Sequence, residues 1–500
     1  MGVALPRLAP ARPEVRDEAV DVLTAPDLDP IVDMVAWSPG PDLYEVASAD
    51  GRVRFRREAD IGRPEYVVES VKGSNPLARR DPAALSSLDE QLRQPHPHRR
   101  HNSYPHGYEQ FAQLFDHRSA PDLCVVHTAS HYWPEAGGHL GEHGSPGVVQ
   151  ARAPFVASGA GIGRLGPVDG SCRLVDVAPT VLALLGASSQ GAPSRSDGRA
   201  RTEITDGVRP RHVIGLLFDG TNASVLYDHA LTGRAPNVGR LMAEGLWYRH
   251  GAMASLPTVT LANHTTILTG LHPGHHGILH NAWMDRAKGE QVVTNSPLTW
   301  PTSMQWLSPG VETIFESIRT GLPEAVTAAI NEPCETGADY STFDLVRRGE
   351  TLDRQPIPDV LPDATQRFVR PLKTYRWSSR VDHTAVEQFR GLWSGSYRGR
   401  AWPVPTFTWV NFTLTDAAFH EGGPYSEIAS ASLADTDARL GRLIDAVERS
   451  GRYDETAWVL VADHGMSLTD PGVRGDWDEA LRAKGLDVRD EGYGFVYLPS

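Results

Sequence analysis

The sequence predicts an α/β fold with a mostly parallel central sheet, and three observations carry that prediction. Short apolar runs recur along the chain and end in small or charged residues, as strands buried on both faces do. Other stretches place apolar residues at three- and four-residue spacing, the period of a helix with one buried face. The two kinds of segment alternate, which is the pattern of a parallel sheet joined by helical crossovers.

The strand candidates are Leu123-Cys-Val-Val-His127, Ala153-Pro-Phe-Val-Ala157, Val213-Ile-Gly-Leu-Leu-Phe218, Thr406-Phe-Thr-Trp-Val-Asn-Phe412 and Ala457-Trp-Val-Leu-Val-Ala462. Helices are predicted from Ala235 to Leu246, His264 to Leu271 and Ile428 to Arg449. Residues 1–24 read as an extension. Residues 187–211 are Gly-, Ser-, Pro- and Arg-rich without period and read as a linker. Residues 285–400, with many prolines and tryptophans, are expected to form an irregular cap over the sheet. Asp81 to Tyr104, with its basic and His-rich stretch at 94–101, reads as a solvated loop; a metal-binding role for those histidines is the alternative. There is no internal repeat.

Five hundred residues suffice for two or three average domains, or for one large unit with an insertion. An apolar fraction of 40% is ordinary for a globular chain. The net charge of −14 argues against an extended nucleic-acid surface and against attraction to anionic membranes. Three widely spaced cysteines, Cys124, Cys172 and Cys334, make neither a disulfide framework nor a CxxC metal site. The proline-broken start lacks a secretory h-region, and no apolar run is long enough to span a bilayer, so a cytoplasmic location is expected.

In open α/β sheets, ligands gather at the carboxyl ends of strands. Asp219, Asp416 and Asp463 each fall within a few residues of such an end. Asp219 precedes Gly220 and is either a ligand or the cap of the next helix. Asp416 and His420 are four apart and share a helical face, a carboxylate and an imidazole of the kind zinc takes. Asp463 and His464 are adjacent, so both can be ligands only if the backbone turns, which Gly465 permits. Thr260 is the candidate nucleophile. Its hydroxyl has no Ser–His–Asp-like neighbours in sequence, and metal coordination would activate it; the alternative is a helix N-cap.

These motifs carry a family resemblance. Pro257-Thr-Val-Thr-Leu-Ala-Asn-His264, Thr269-Gly-Leu-His-Pro-Gly-His-His-Gly-Ile278, Phe218-Asp-Gly220 and Asp463-His-Gly-Met466 together resemble the nucleotide pyrophosphatase/phosphodiesterase family of the alkaline phosphatase superfamily. The resemblance implies a three-layer α/β/α sandwich and two divalent metal ions, zinc by ligand type. It implies Asp219, Thr260, Asp463 and His464 around one ion and Asp416 and His420 on the second. It also implies Asn281 as a phosphate-oxygen ligand beside the Thr260 backbone. The sequence departs at Leu261-Ala262, where the family shows Phe-Pro.

The family's last ligand is a histidine in a Gly-x-His-Gly context after the Asp-His-Gly motif, and no such histidine follows His464 here. The matching residue lies upstream, His143 in Gly141-Glu-His-Gly144; His139, followed by leucine, fits less well. Residues 25–186 resemble the family's C-terminal section, so the segment order looks circularly permuted. On that reading Ile31–Trp37 and Gly494–Leu498 complete one sheet, and residues 212–500 form the main catalytic segment. The rival is an independent N-terminal domain with His143 a bystander.

The expected function is hydrolysis of phosphodiester or phosphoanhydride bonds in a small-molecule or nucleotide substrate through a phospho-threonine intermediate. A sulfatase reading fails because no cysteine lies in a formylglycine setting. A monoesterase reading is disfavoured because no arginine lies between Thr260 and Asn281. Phosphonate (C–P) hydrolysis and a catalytically silent metal-binding protein are the alternatives. Trp300, Trp306, Trp377 and Trp393 are candidates to stack on a leaving group or to be buried. Oligomeric state is not readable.

Overall fold

The structure, a computed structural model, describes residues 11–499 apart from 59–63, 135–136, 188–195, 350–372, 398 and 493. Residues 1–10 of the expected extension, 188–195 of the expected linker and 350–372 of the expected cap lie outside the described residues.

His212–Phe218 runs through the centre of the principal sheet because nearly all its side chains are apolar and both of its faces are covered. Ile214, Leu216 and Phe218 point to one helical layer, Val213 and Leu217 to the other. Gly215 has no side chain because the Trp409 ring of the neighbouring strand occupies that space; a Cβ there would lie 2.1 Å from it. The eight strands follow the order Tyr340–Ser341, Thr327–Ile330, Phe407–Phe412, His212–Phe218, Thr456–Val461, Phe155–Gly159, Leu246–Tyr248, Gly166–Val168. The first five are mutually parallel. Phe155–Gly159 is inserted antiparallel beside Thr456–Val461.

Helices Ala223–Leu231, Pro236–Glu244, Lys373–Trp393, Leu414–Gly422 and Glu427–Arg449 cover one face. Val177–Leu185, Thr260–Thr269 and Ile314–Gly321 cover the other, which makes the three layers expected. The central three strands, Phe407–Phe412, His212–Phe218 and Thr456–Val461, deliver Asp416, Asp219 and Asp463 to one edge.

A second sheet of seven antiparallel strands was not anticipated. Its order is Arg489–Glu491, Phe495–Tyr497, Leu123–His127, Val32–Gly40, Leu43–Ser48, Gly51–Glu58, Glu65–Gly73. The two stretches expected to complete one sheet from opposite ends of the chain do share a sheet, but it is this one, and Leu123–His127 separates them. The strands were missed because several alternate instead of forming continuous apolar runs. In Gly51–Glu58, Val53 and Phe55 are buried while Arg54 and Arg56 face outward.

Three further expectations are corrected. Residues 285–400 are only partly irregular: they supply Thr327–Ile330 and Tyr340–Ser341 to the principal sheet and the 21-residue helix Lys373–Trp393. Small residues in Thr-Ala-Ala-Ile hid that strand. The 94–101 stretch is not simply solvated. Arg99 is buried, donating to the backbone oxygens of Asp33 (2.9 Å) and Val32 (3.0 Å) and pairing with Asp29. Finally, the C-terminal half of the expected linker is packed: Arg201 pairs with Asp176 at 3.0 Å and Ile204 is buried.

His275 ties distant parts of the chain together, with its ring nitrogens 2.8 Å from Asp116 and 2.7 Å from Asp197. Burial opposes its charge, but the hydrogen bonds and charges of the two carboxylates overcome this and raise its pKa to about 9. A folded pKa above the unfolded value of 6.5 gives stability that is complete below about pH 6.5 and is lost as pH rises through 9. His275→Gln is therefore expected to be less stable than the natural chain near pH 6, with the difference shrinking toward pH 9. Urea midpoints across that range check it; a difference independent of pH contradicts it.

Candidate metal centre and nucleophile

The site is built at the carboxyl edge of the central strands. Asp219 follows Phe218 directly, and Gly220 then adopts φ +65°, a left-handed turn that brings the backbone against Asp416. The Gly220 amide donates to Asp463 Oδ1 at 3.0 Å, fixing that carboxylate across the edge. Asp416 occupies the first turn of Leu414–Gly422 and His420 its last, so both face one direction. His420 Nε2 lies 3.5 Å from Asp416 Oδ1.

His143 arrives from the N-terminal third. Its Nε2 lies 3.1 Å from His420 Nε2 and 4.0 Å from Asp416 Oδ1. The loop that carries it is stitched to the Thr260 loop: the Gly144 amide donates to Thr258 Oγ1, which donates to the Ser145 carbonyl, each at 2.9 Å. Nδ1 of His143 lies 2.8 Å from the Thr258 carbonyl and Nδ1 of His420 2.8 Å from that of Gly141. Each Nδ1 is the donor, since a carbonyl can only accept, which leaves the two Nε2 atoms facing the same space as the ligand atoms of the neutral rings. Burial, then the neighbouring His464 and His420, push the His143 pKa well down and keep its ring neutral.

His464 stacks on His143 with ring centroids 3.8 Å apart and bonds the Gly465 carbonyl through Nδ1. Asp219, Asp416 and His464 present ligand atoms within 4.8 Å of one another, as do His143, Asp416 and His420. Asp219 also forms such a group with His264 and Asp463. Burial, then the Asp463 and Asp416 charges, drive the Asp219 carboxyl far above its ordinary range. Five buried atoms here have no hydrogen-bond partner: Asp219 Oδ1, Asp416 Oδ1, Asp463 Oδ2, His264 Nε2 and His464 Nε2. Orphaned ligand atoms converging around crowded carboxylates fit divalent cations, whose charge resolves both problems at once.

Thr260 is the first residue of its helix. The N-cap is Val259, and no side-chain cap bond forms, so the alternative N-cap role does not apply. Asn263 holds the preceding turn instead, accepting from the Ser255 amide at 2.7 Å and donating to the Pro257 carbonyl at 2.9 Å. Thr260 and Asn281 line a cavity of about 590 Å³, together with His143, Asp416 and His420. Asn281 Oδ1 accepts from the Leu261 amide at 3.3 Å, which places its amide group beside the helix start. Leu261 and Ala262, the departure from the family pattern, are buried in the core.

A family model described as type I phosphodiesterase / nucleotide pyrophosphatase matches residues 213–499. The chain belongs to that family. It is 39% identical over 263 residues to an uncharacterised pyrophosphatase/phosphodiesterase of Schizosaccharomyces pombe, covering 51% of this chain and 45% of that one. It is 22% identical over 262 residues to ectonucleotide pyrophosphatase/phosphodiesterase family member 3 of Mus musculus, covering 51% of this chain and 25% of that one. The matched stretch thus spans less than half the length of these relatives. Among solved structures, murine ectonucleotide pyrophosphatase/phosphodiesterase 5 in complex with AMP aligns at 17% identity with a TM-score of 0.39, over 56% of this chain and 64% of that one. In this family member, His143 and the Phe155–Gly159 strand lie outside the matched residues.

Other expectations resolve differently. His139 lines the same cavity, 3.1 Å from Glu142, and these two with His420 form a further group of ligand atoms within 4.8 Å of one another. Among the described residues, the candidate metal-ligand groups include none of the histidines of 94–101. Trp300, Trp306, Trp377 and Trp393 do not line the cavity; Trp133 does. Trp393 is buried against Phe389, Trp300 faces Trp377, and Trp306 meets Trp283. The cysteines are free and buried, with their thiol pKa values raised by burial. Among the described residues no helix is long and apolar enough to cross a membrane. Sequence reasoning missed His264 as a site residue. Its position, four after Thr260, was the available signal, because i and i+4 share a helix face.

Proposed function

We propose that this chain hydrolyses phosphodiester or phosphoanhydride bonds, with Thr260 as nucleophile, at a centre for two divalent cations. The observation that supports it best is the placement of Thr260 at a helix start in the same cavity as His143, Asp416 and His420. Asp219, Asp463 and His464 would hold one ion with Thr260, and Asp416, His420 and His143 the other. Bound there, the ions, zinc by ligand type, would supply Lewis-acid charge that favours the threonine alkoxide and neutralises the leaving oxygen.

The chain's own groups do the rest. Thr260 Oγ forms a bond to phosphorus while the bond to the leaving oxygen breaks, giving a covalent phospho-threonine that water then cleaves. The Thr260 backbone amide at the helix start and the Asn281 side chain orient the phosphoryl oxygens and carry developing charge. The cavity lining holds no arginine or lysine among the described residues, while Glu142, Asp478, Asp490 and Glu491 all line it. A diester brings one negative charge, a monoester close to two, so this wall favours diesters.

In the same proposal, residues 25–186 complete the catalytic unit in circularly permuted order. Two observations support this: Phe155–Gly159 pairs with Thr456–Val461, and His143 meets His420. Assaying a nitrophenyl phosphodiester, its monoester and phosphonoacetate side by side tests the function. Turnover fastest on the diester is expected; preference for phosphonoacetate points to C–P hydrolysis. No turnover with metal bound points to a silent binding protein.

A further inference from the structure

We infer that the outer strand of the second sheet, Glu65–Gly73, pairs antiparallel with the same strand of a second copy of this chain, joining the two about a two-fold axis. The contact involves no residue of the metal centre.

Glu65–Gly73 ends the seven-strand sheet, and all of its residues are exposed except Tyr66, which is half-buried. Val68 and Val71 lie opposite Phe55 and Val53, whose side chains are buried in the core. They continue that apolar face, helped by a bulge at Glu69, yet are 40% and 45% exposed.

The charges at the two ends of the strand are mismatched within the chain. Glu65 lies across from Glu58 and Lys72 across from Arg52, like facing like at both ends of the ladder. Glu58 and Arg52 pair instead with Arg56 and Glu45. An antiparallel pairing that sets Glu65 against Lys72 of the second copy supplies the missing opposite charge at both ends.

The backbone agrees with that register, which also sets Tyr66 against Val71 of the second copy. The Arg57 amide donates to the Asp42 carbonyl at 2.9 Å, away from Glu65–Gly73. Tyr66, opposite Arg57, therefore turns its amide and carbonyl outward. The Ser74 amide donates inward to the Asp50 carbonyl at 3.0 Å, so by alternation Val71 also faces outward. Two outward residues meet in this register, once on each side of the axis, and close a hydrogen-bonded pair each time. A slip of one residue reverses the faces, and a slip of two sets Lys72 against Val67. A lysine and a bulge on an edge strand ordinarily discourage pairing. Here the lysine admits only a strand that presents a glutamate at the matching place, and a second copy does.

Sedimentation equilibrium of the full chain over a range of concentrations tests this. The natural chain should pass from one chain mass to two and stop there, because a two-fold contact closes on itself. Glu65→Lys and Lys72→Glu each set like charges together twice across the axis and should weaken association at least about tenfold. Each also converts a like pair within its own ladder to an opposite pair, so melting temperatures of the monomer should not fall. The double exchange, Glu65→Lys with Lys72→Glu, should restore the natural association. Val71→Pro removes an outward amide and none of the ladder's own bonds, and should weaken association too. A chain that stays monomeric at every soluble concentration would overturn the inference and leave this edge to some other partner. Association unmoved by the single exchanges, not rescued by the double one, or growing beyond two chains would overturn it as well.

Discussion

Thr260→Ala is expected to lose at least about 1,000-fold of phosphodiester turnover, the scale on which removing a nucleophile acts. The variant should be otherwise intact, because the Thr260 side chain caps nothing: the N-cap is Val259, and Asn263 secures the turn. Its stability should lie within about 0.5 kcal/mol of the natural chain, as for a substitution that breaks no structural contact. Metal uptake should largely persist, since Asp219, Asp463 and His464 are untouched. Thr260→Ser keeps a hydroxyl and should recover much of the rate. Mass spectrometry of acid-quenched turnover mixtures should find the phosphoryl adduct on Thr260 in the natural chain and not in the alanine variant. Alanine-variant activity within tenfold of the natural chain would exclude Thr260 as nucleophile.

His143→Ala carries the second large effect. With His143 removed, the Asp416–His420 ion keeps two protein ligands, too few for a site that normally has three plus an open position. Bound metal should fall from two ions per chain to one, and turnover by at least about 100-fold, the loss of several kcal/mol of charge stabilisation. Elemental analysis after gel filtration reads the stoichiometry. Two ions retained, with activity unchanged, would make His143 a bystander and would favour an independent N-terminal segment. The substitution also has a local cost, since it removes a ring stacked on His464 at 3.8 Å and a bond to the Thr258 carbonyl. Comparing His143→Ala with His143→Gln separates packing from ligation.

The parts of the fold legible in the sequence were those where one physical signal dominated. His212–Phe218 and Thr456–Val461 are buried on both faces, so their apolar runs are continuous and stand out. Glu427–Arg449 has one buried face over 23 residues, long enough for its period to be unmistakable. Gly51–Glu58 has the same buried purpose but shows it on alternate residues among four arginines, which disguises it as a charged loop. Thr327–Ile330 is too short and too small-sided to register, although it leads to Glu332, which bonds His264.

The same contrast holds at the site. Asp219, Asp416, His420, Asp463 and His464 sit beside strong strands or one turn apart on a helix, so local spacing exposes them. His143 became legible only through its Gly-x-His-Gly setting, because nothing local links residue 143 to residue 416. His264 was in view within the Thr260 motif, yet it is bonded to Glu332, 68 positions away and held by Trp409. Spacing along a chain reports neighbours on one element; it cannot report a buried carboxylate brought in from another strand.

The place of Phe155–Gly159 in the sheet has a consequence for the chain's making. It lies hydrogen-bonded on one side to Leu246–Tyr248 and on the other to Thr456–Val461, so its inner partner is made some 300 residues after it. At about 5–20 residues per second, the nascent strand waits roughly 15–60 s for that partner to leave the ribosome. Throughout that interval an apolar strand keeps an open edge, a hazard of wrong pairing that lasts until the final tenth of the chain arrives.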